Sequence, residues 1–274
     1  MKSYLHLGRW ITFASLAVFL LACSSSKPAV QAPGHETLLA QQGADAVLWQ
    51  NSSAEAHWLY KQSYEHAYLK LERNLAQAGD AGPFAVIVDI DETVLDNSPY
   101  QVEAIKRGRT FDQNTWRVWT DKAEAKASPG ALEFLSYASE SAKCEVFYIT
   151  NRDLRERAST LKNLNDLGFP NADEKHLLLM DGASDKTERR ARVRATHNVV
   201  LLVGDQLRDF DERFKDRSAN SGKDAVDAMA DSLSRYFILV PNTMYGTWRD
   251  AIHGKGTDAE KHARMKAWFE INGY

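Results

Sequence analysis

Asp89-Ile90-Asp91-Glu92-Thr93 is the segment of this chain best suited to chemistry: two carboxylates separated by one residue, with a hydroxyl two residues further on. It follows directly on Phe84-Ala85-Val86-Ile87-Val88, an apolar run rich in β-branched residues and preceded by Gly82-Pro83, which predicts a buried strand. In an open α/β sheet, ligands bind at the carboxyl ends of the strands. Carboxylates placed there can hold a hard cation, attack an electrophile or exchange protons.

The elements that would position them follow from periodicity. Four more short apolar runs, 145–149, 176–180, 198–203 and 236–240, alternate with amphipathic stretches. One of these, 153–167, carries Leu154, Leu161, Leu164 and Leu167 on a single face. Such alternation predicts an α/β fold, a parallel sheet with helices on both faces. Upstream, residues 36–80 form a helical segment. It has no proline from Glu36 to Gln77, and Leu48, Trp49, Trp58, Leu59, Tyr64, Ala67, Tyr68, Leu71 and Leu75 recur at helical spacing, with a break expected at Asn51-Ser52-Ser53. More than 50 residues separate Asp91 from Glu145, too many for a simple crossover, so residues from about 97 to 130 are expected to form a small cap inserted over the mouth of the site.

Bulk properties narrow the function classes. At 274 residues the chain can bury one good-sized core. Its 34 basic and 37 acidic residues give a net charge of −3 without a basic stripe, which argues against nucleic-acid binding. Lys2 and Arg9 precede an apolar stretch from Trp10 to Ala22, too short for a spanning helix of about 20 residues and suited to a signal peptide over residues 1–22. Leu20-Leu21-Ala22-Cys23 looks like a bacterial lipobox, which implies lipidation of Cys23. Ser24 after it implies sorting to the outer membrane. Residues 23–35, rich in Ser, Pro, Ala and Gly, read as a flexible tether, leaving 36–274 for the folded domain. Cys144, the only other cysteine, then has no disulfide partner and is expected to be a small buried hydrophobe.

Polar motifs follow each of the first four predicted strands. Asp89 and Asp91 follow the first; Thr150-Asn151-Arg152 the second; Ser184-Asp185-Lys186-Thr187-Glu188-Arg189-Arg190 the third; Gly204-Asp205-Gln206-Leu207-Arg208-Asp209 the fourth. This order resembles the four motifs of the haloacid-dehalogenase (HAD) superfamily of phosphatases. The resemblance implies a HAD-like Rossmannoid sheet and a Mg²⁺ site made by Asp89, Asp205 and the Asp91 backbone carbonyl. It makes Asp89 the nucleophile and Asp91 the acid and base. Asp209 would orient Asp205 or the waters of the ion. Thr150, Asn151 and a cation, Lys186 with Arg189 as the alternative, would hold the phosphoryl oxygens.

The run from Asp89 to Tyr100, together with Trp116-Arg117-Val118-Trp119, Ser128-Pro129-Gly130-Ala131 and Pro241-Asn242-Thr243-Met244-Tyr245-Gly246, looks like the class C acid phosphatases, the bacterial outer-membrane lipoprotein branch of that superfamily. The resemblance implies hydrolysis of phosphomonoesters, often nucleoside 5′-monophosphates, with the base stacked between Trp116 and Tyr245. The family suggests a homodimer, although no sequence feature shows one. Two other readings stay open at this point: a binding or storage protein on an inactive scaffold of the same kind, and a different superfamily chemistry. The presence of Asp89 argues against the first, and that of Asp205 against dehalogenation. If Cys23 carries lipid, Cys23→Ser should move the protein from the membrane fraction to the soluble one; unchanged partitioning on fractionation would refute the anchor.

Overall fold

The computed structural model describes residues 33–274; the leader, Cys23 and most of the tether lie outside the described residues. From the N-terminal side, α1 (His35–Gln42), α2 (Ala44–Ser52) and α3 (Ala54–Ala78) lead into β1 (Phe84–Val88). The chain then makes an excursion through β2 (Leu95–Asp96), α4 (Ser98–Lys106), α5 (Gln113–Thr120) and β3 (Lys126–Ala127), and returns by α6 (Ala131–Glu140) to β4 (Cys144–Asp153). Next come α7 (Arg157–Asp166), β5 (Leu177–Met180), α8 (Thr187–Arg194), β6 (Asn198–Gly204) and α9 (Leu207–Phe210). The chain closes with α10 (Lys223–Ala228), α11 (Ala230–Tyr236), β7 (Phe237–Leu239), α12 (Thr247–His253) and α13 (Asp258–Asn272).

Five strands form one parallel sheet in the order β5-β4-β1-β6-β7, so β1 is central, with Val88 opposite Tyr148 on β4 and Val203 on β6. Alternation along each strand splits the core between two faces. Val86, Val88, Val146 and Tyr148 pack with Tyr64 and Leu71 of α3 and Phe134 and Leu135 of α6. Ala85, Ile87, Phe147 and Ile149 form a second cluster with Val193 of α8. Burial on both faces explains why the strands read as unbroken apolar runs. The expected α/β sheet with helices on both faces, and helices N-terminal to it, is therefore present.

The excursion between β1 and β4 is held shut at its base. β2 pairs antiparallel with β3, Leu95 opposite Ala127. The Asp112 carboxylate caps α5 by accepting from the amides of Asn114 and Thr115, each at 3.0 Å. On the far side, two tyrosines of α3 grip the loop after β1: Tyr60 donates to the Glu92 carbonyl and Tyr64 to the Thr93 carbonyl at 2.9 Å.

Three details differ from the sequence expectation. The N-terminal segment is three helices, with a break at Gly43 besides the one at Ser53, whose hydroxyl accepts from the Ala56 amide. The buried stripe of α3 runs Ala56, Tyr60, Tyr64, Ala67, Leu71, which turns Trp58 (54% exposed) and Leu59 outward, while Leu48 of α2 is also exposed. Leu154 is 47% exposed because a capping box between Asp153 and Glu156 forms a separate 3₁₀ turn over Leu154–Glu156, and α7 starts only at Arg157. Cys144 is buried as expected, and burial pushes its thiol up to about 11.

Leu71→Ala on the buried stripe should cost about 2–5 kcal/mol of stability. Trp58→Ala, on the exposed side of the same helix, should stay within about 0.5 kcal/mol of wild type. Equal losses in urea denaturation would contradict this assignment of faces.

Candidate active site

Parallel strands are neighbours about 4.8 Å apart, so the β1 and β6 tips deliver Asp89 and Asp205 side by side. Asp209 joins them because α9 turns back immediately after Asp205: its Oδ2 accepts from the Gln206 amide at 2.9 Å in a capping box. That turn needs Gly204, since a Cβ there would lie 2.4 Å from the Asp209 Cβ. Asp89, Asp205 and Asp209 each present a carboxylate oxygen within 4.8 Å of the others. All three are buried.

Lys186, at the start of α8 and 5% exposed, is the cation that meets this group. Its ammonium pairs with Asp89 Oδ1 and, at 2.6 Å, with Asp209 Oδ1. Arg189, one turn on, instead donates to the Thr150 carbonyl and to Asn151 Oδ1 at 2.8 Å. The two candidate cations thus do different things: Lys186 faces carboxylates, whereas Arg189 braces the tip of β4.

Asp205 is oriented from its outer side. Its Oδ2 accepts from Gln206 Nε2 at 2.9 Å and from Asn242 Nδ2 at 2.6 Å, and Asn242 Oδ1 in turn accepts from the Met244 amide. Asp209, expected to orient Asp205 or the waters of the ion, is bonded to Lys186 and the Gln206 amide, while Gln206 and Asn242 hold Asp205. Neither was singled out from the sequence, because a side-chain amide a few residues past a strand end carries no local signal of where it turns.

Asp91 lies outside the three-carboxylate group, with its side chain turned to β4. Arg152, 2% exposed, donates to Asp91 Oδ1 from Nε at 2.9 Å and Nη2 at 2.8 Å. Asn97 Nδ2 donates to the same oxygen at 2.9 Å. Thr150 is fully buried, and its hydroxyl faces Asp91 Oδ2 at 3.3 Å rather than the open cavity. Arg152 and Asn97 are site residues that motif reasoning passed over.

The charge balance is unfavourable as it stands. Burial, and then Asp209, push Asp205 up to about 7. Burial also raises Asp89 well above the carboxylate range, against the pull of Lys186. Burial works against the Lys186 ammonium, yet Asp209 and Asp89 outweigh it and hold its pKa above the usual value. Three crowded carboxylates with one ammonium still have room for positive charge, and an all-oxygen donor set suits a hard divalent cation such as Mg²⁺. The residues fit such an ion.

These groups form the floor of a cavity of about 560 Å³, also lined by Asn151, Trp116 of α5 and Tyr245 of the loop after β7. Trp116 is 8% exposed, edge-on to Tyr100 at 5.1 Å, with the Arg152 guanidinium 5.8 Å from its ring centre. Tyr100 is buried and Trp119 packs against the core, and Trp119 also donates to Asn97 Oδ1 at 2.8 Å.

Comparison with known proteins gives a consistent pattern. Residues 12–248 match the family described as HAD superfamily, subfamily IIIB (Acid phosphatase). The structure is similar to the class C acid phosphatase from Bacillus anthracis, with a TM-score of 0.76 and 39% identity over 84% of this chain and 97% of that one. The tungstate-bound form of that protein matches with a TM-score of 0.75. Among curated proteins, Acid phosphatase 1 of Solanum lycopersicum is 27% identical over 167 residues, and the Stem 31 kDa glycoprotein of Glycine max is 28% identical over 140. The chain spans 60% and 55% of the length of these two relatives.

The crowding has a measurable sign. A folded-state value of about 7 for Asp205 lies above the unfolded value of about 3.9. The proton it retains therefore favours folding at low pH, and that contribution is lost as pH rises through about 7. Metal-free protein should show a Tm that falls between about pH 4 and about pH 7, less steeply for Asp205→Asn. Added Mg²⁺ should raise the Tm of wild type at neutral pH but not that of the variant. Identical melting profiles for the two proteins would refute the crowding.

Proposed function

The chain belongs to the acid phosphatases of the haloacid-dehalogenase superfamily, subfamily IIIB, and from that membership we propose that it hydrolyses phosphomonoesters, nucleoside 5′-monophosphates among them, through a covalent phosphate on Asp89. One observation carries the reading: Asp89, Asp205, Asp209 and Lys186 converge on the floor of a cavity whose wall holds Trp116 and Tyr245.

The chain's own groups divide the work. Lys186 holds Oδ1 of Asp89, which leaves Oδ2 to approach phosphorus and form the new P–O bond. As the ester bond breaks, its electron pair passes to the leaving oxygen, which takes a proton from Asp91. Water then attacks the phosphoryl group, gives a proton back to Asp91, and the bond to Asp89 breaks with release of phosphate. Asn151 at the cavity wall and Lys186 face the phosphoryl oxygens. Asp89, Asp205 and the backbone carbonyl of Asp91 would hold a Mg²⁺ ion, which would supply neutralising charge for the dianionic ester. Substrate choice falls to the wall: stacking of a base on an aromatic ring contributes about 1–3 kcal/mol and tolerates every base.

Asp89→Asn should abolish turnover of all phosphomonoesters. In the same assay Trp116→Ala should raise KM for AMP by about 5- to 100-fold while leaving glycerol phosphate little changed. Full activity in Asp89→Asn would sink the chemistry; an unchanged preference in Trp116→Ala would sink the nucleotide assignment.

A further inference from the structure

Among the described residues Arg152 is the largest fully enclosed side chain, and no step above uses it. Its guanidinium makes four hydrogen bonds to three residues. Nε and Nη2 donate to Asp91 Oδ1 at 2.9 and 2.8 Å, Nη1 donates to Thr160 Oγ1 at 3.2 Å, and Nη2 also reaches Asn97 Oδ1 at 3.4 Å. Asn97 is wholly buried beside it, and its orientation is fixed by partners that can only donate. The Trp119 indole N–H, at 2.8 Å, and Arg152 both face Asn97 Oδ1, so the amide nitrogen of Asn97 must face Asp91. Asp91 Oδ1 therefore meets three N–H donors from two residues. Among the described residues Asp91 Oδ2 meets only the Thr150 hydroxyl, at 3.3 Å, and the Asp91 side chain borders the cavity.

We propose that Arg152, together with Asn97, is a positioning pair that bars the Asp91 proton from Oδ1 and keeps it on Oδ2, the oxygen that exchanges it with the substrate. A proton on Oδ1 would point at three donors, none of which can accept it. The pair thus selects one of two carboxyl oxygens for the proton that the leaving group takes when the ester P–O bond breaks. Both residues act through Asp91, whose Oδ1 they occupy. The inference rests on Asp91 serving as the acid in the proposed hydrolysis. It also ties the cap to the chemistry, because Asn97 and Trp119 belong to the excursion after β1 while Arg152 comes from β4.

The leaving group separates this role from a merely structural one. p-Nitrophenolate departs with little need of a proton, whereas an alkoxide does not. In the full chain with Mg²⁺, kcat/KM would be measured for p-nitrophenyl phosphate and for an alkyl phosphate. Arg152→Lys keeps the charge but loses the paired donors. Asn97→Asp keeps the shape and the acceptor for Trp119, yet sets an acceptor against Asp91 Oδ1, so the proton can settle there. Each should lower kcat/KM for the alkyl ester by about 100-fold and for the nitrophenyl ester by less than about 10-fold, in line with the usual worth of general acid catalysis. Parallel losses on the two esters, or no loss in either variant, would overturn the proposal. Should Arg152→Lys fail to fold by circular dichroism, Asn97→Asp decides alone. A wild-type protein inert toward both esters would overturn the phosphatase reading itself, and this inference with it.

Discussion

Three buried carboxylates and one ammonium share the space at the tips of β1 and β6, and the fold around them is arranged to keep them there. Like charges this close in a poorly solvated place repel strongly, and each has lost water on the way in. Lys186 relieves Asp89 and Asp209 together. Asp205 receives two side-chain amides instead of a counter-charge, and its pKa rises to about 7. The site is thus held in a state that favours a further cation. Well-packed apolar side chains in the same place would serve stability better, as replacements of buried ionic groups elsewhere show. Retaining the acids points to chemistry.

Rigid surroundings make that tension tolerable. Asp89 sits just past the end of the central strand, its amide donating to the Val203 carbonyl at 3.0 Å, so the β1–β6 pairing continues to it. The loop beyond is pinned from α3 by the hydroxyls of Tyr60 and Tyr64. Within that loop Glu92 adopts a φ of 56°, in the left-handed region that side chains rarely occupy, with its carboxyl buried and accepting from the Asn97 amide. Backbone strain of this kind persists only where its surroundings over-determine it. Here the same turn leads into the β2–β3 excursion, which carries Trp116 on α5.

Much of this was legible in the chain itself. The strand runs, the helical stretches and the oversized interval after Asp91 are local patterns of period and length, and local patterns survive in sequence. The acidic pairs were legible too, because strand ends in a parallel sheet converge by construction. Trp58 and Leu154 misled for a physical reason. A window of apolar spacing fits more than one face of a helix, and only the packed neighbour selects among them: Tyr60 and Tyr64 reach the loop after β1, which sets the rotation of α3 and turns Trp58 outward.

What the sequence determined by itself was the sheet, its helices and the chemical character of the strand tips, since each depends on residues adjacent in the chain. Tertiary structure alone decided how the polar side chains pair. Lys186 and Arg189 are three residues apart on one basic segment, and only the docking of α8 sends the first to Asp89 and the second to the β4 backbone. The partners of Asp205 and Asp91, namely Asn242, Asn97 and Arg152, come from positions 37, 6 and 61 residues away. Hydrogen bonds between such positions depend on directions in space, which spacing along a chain does not encode.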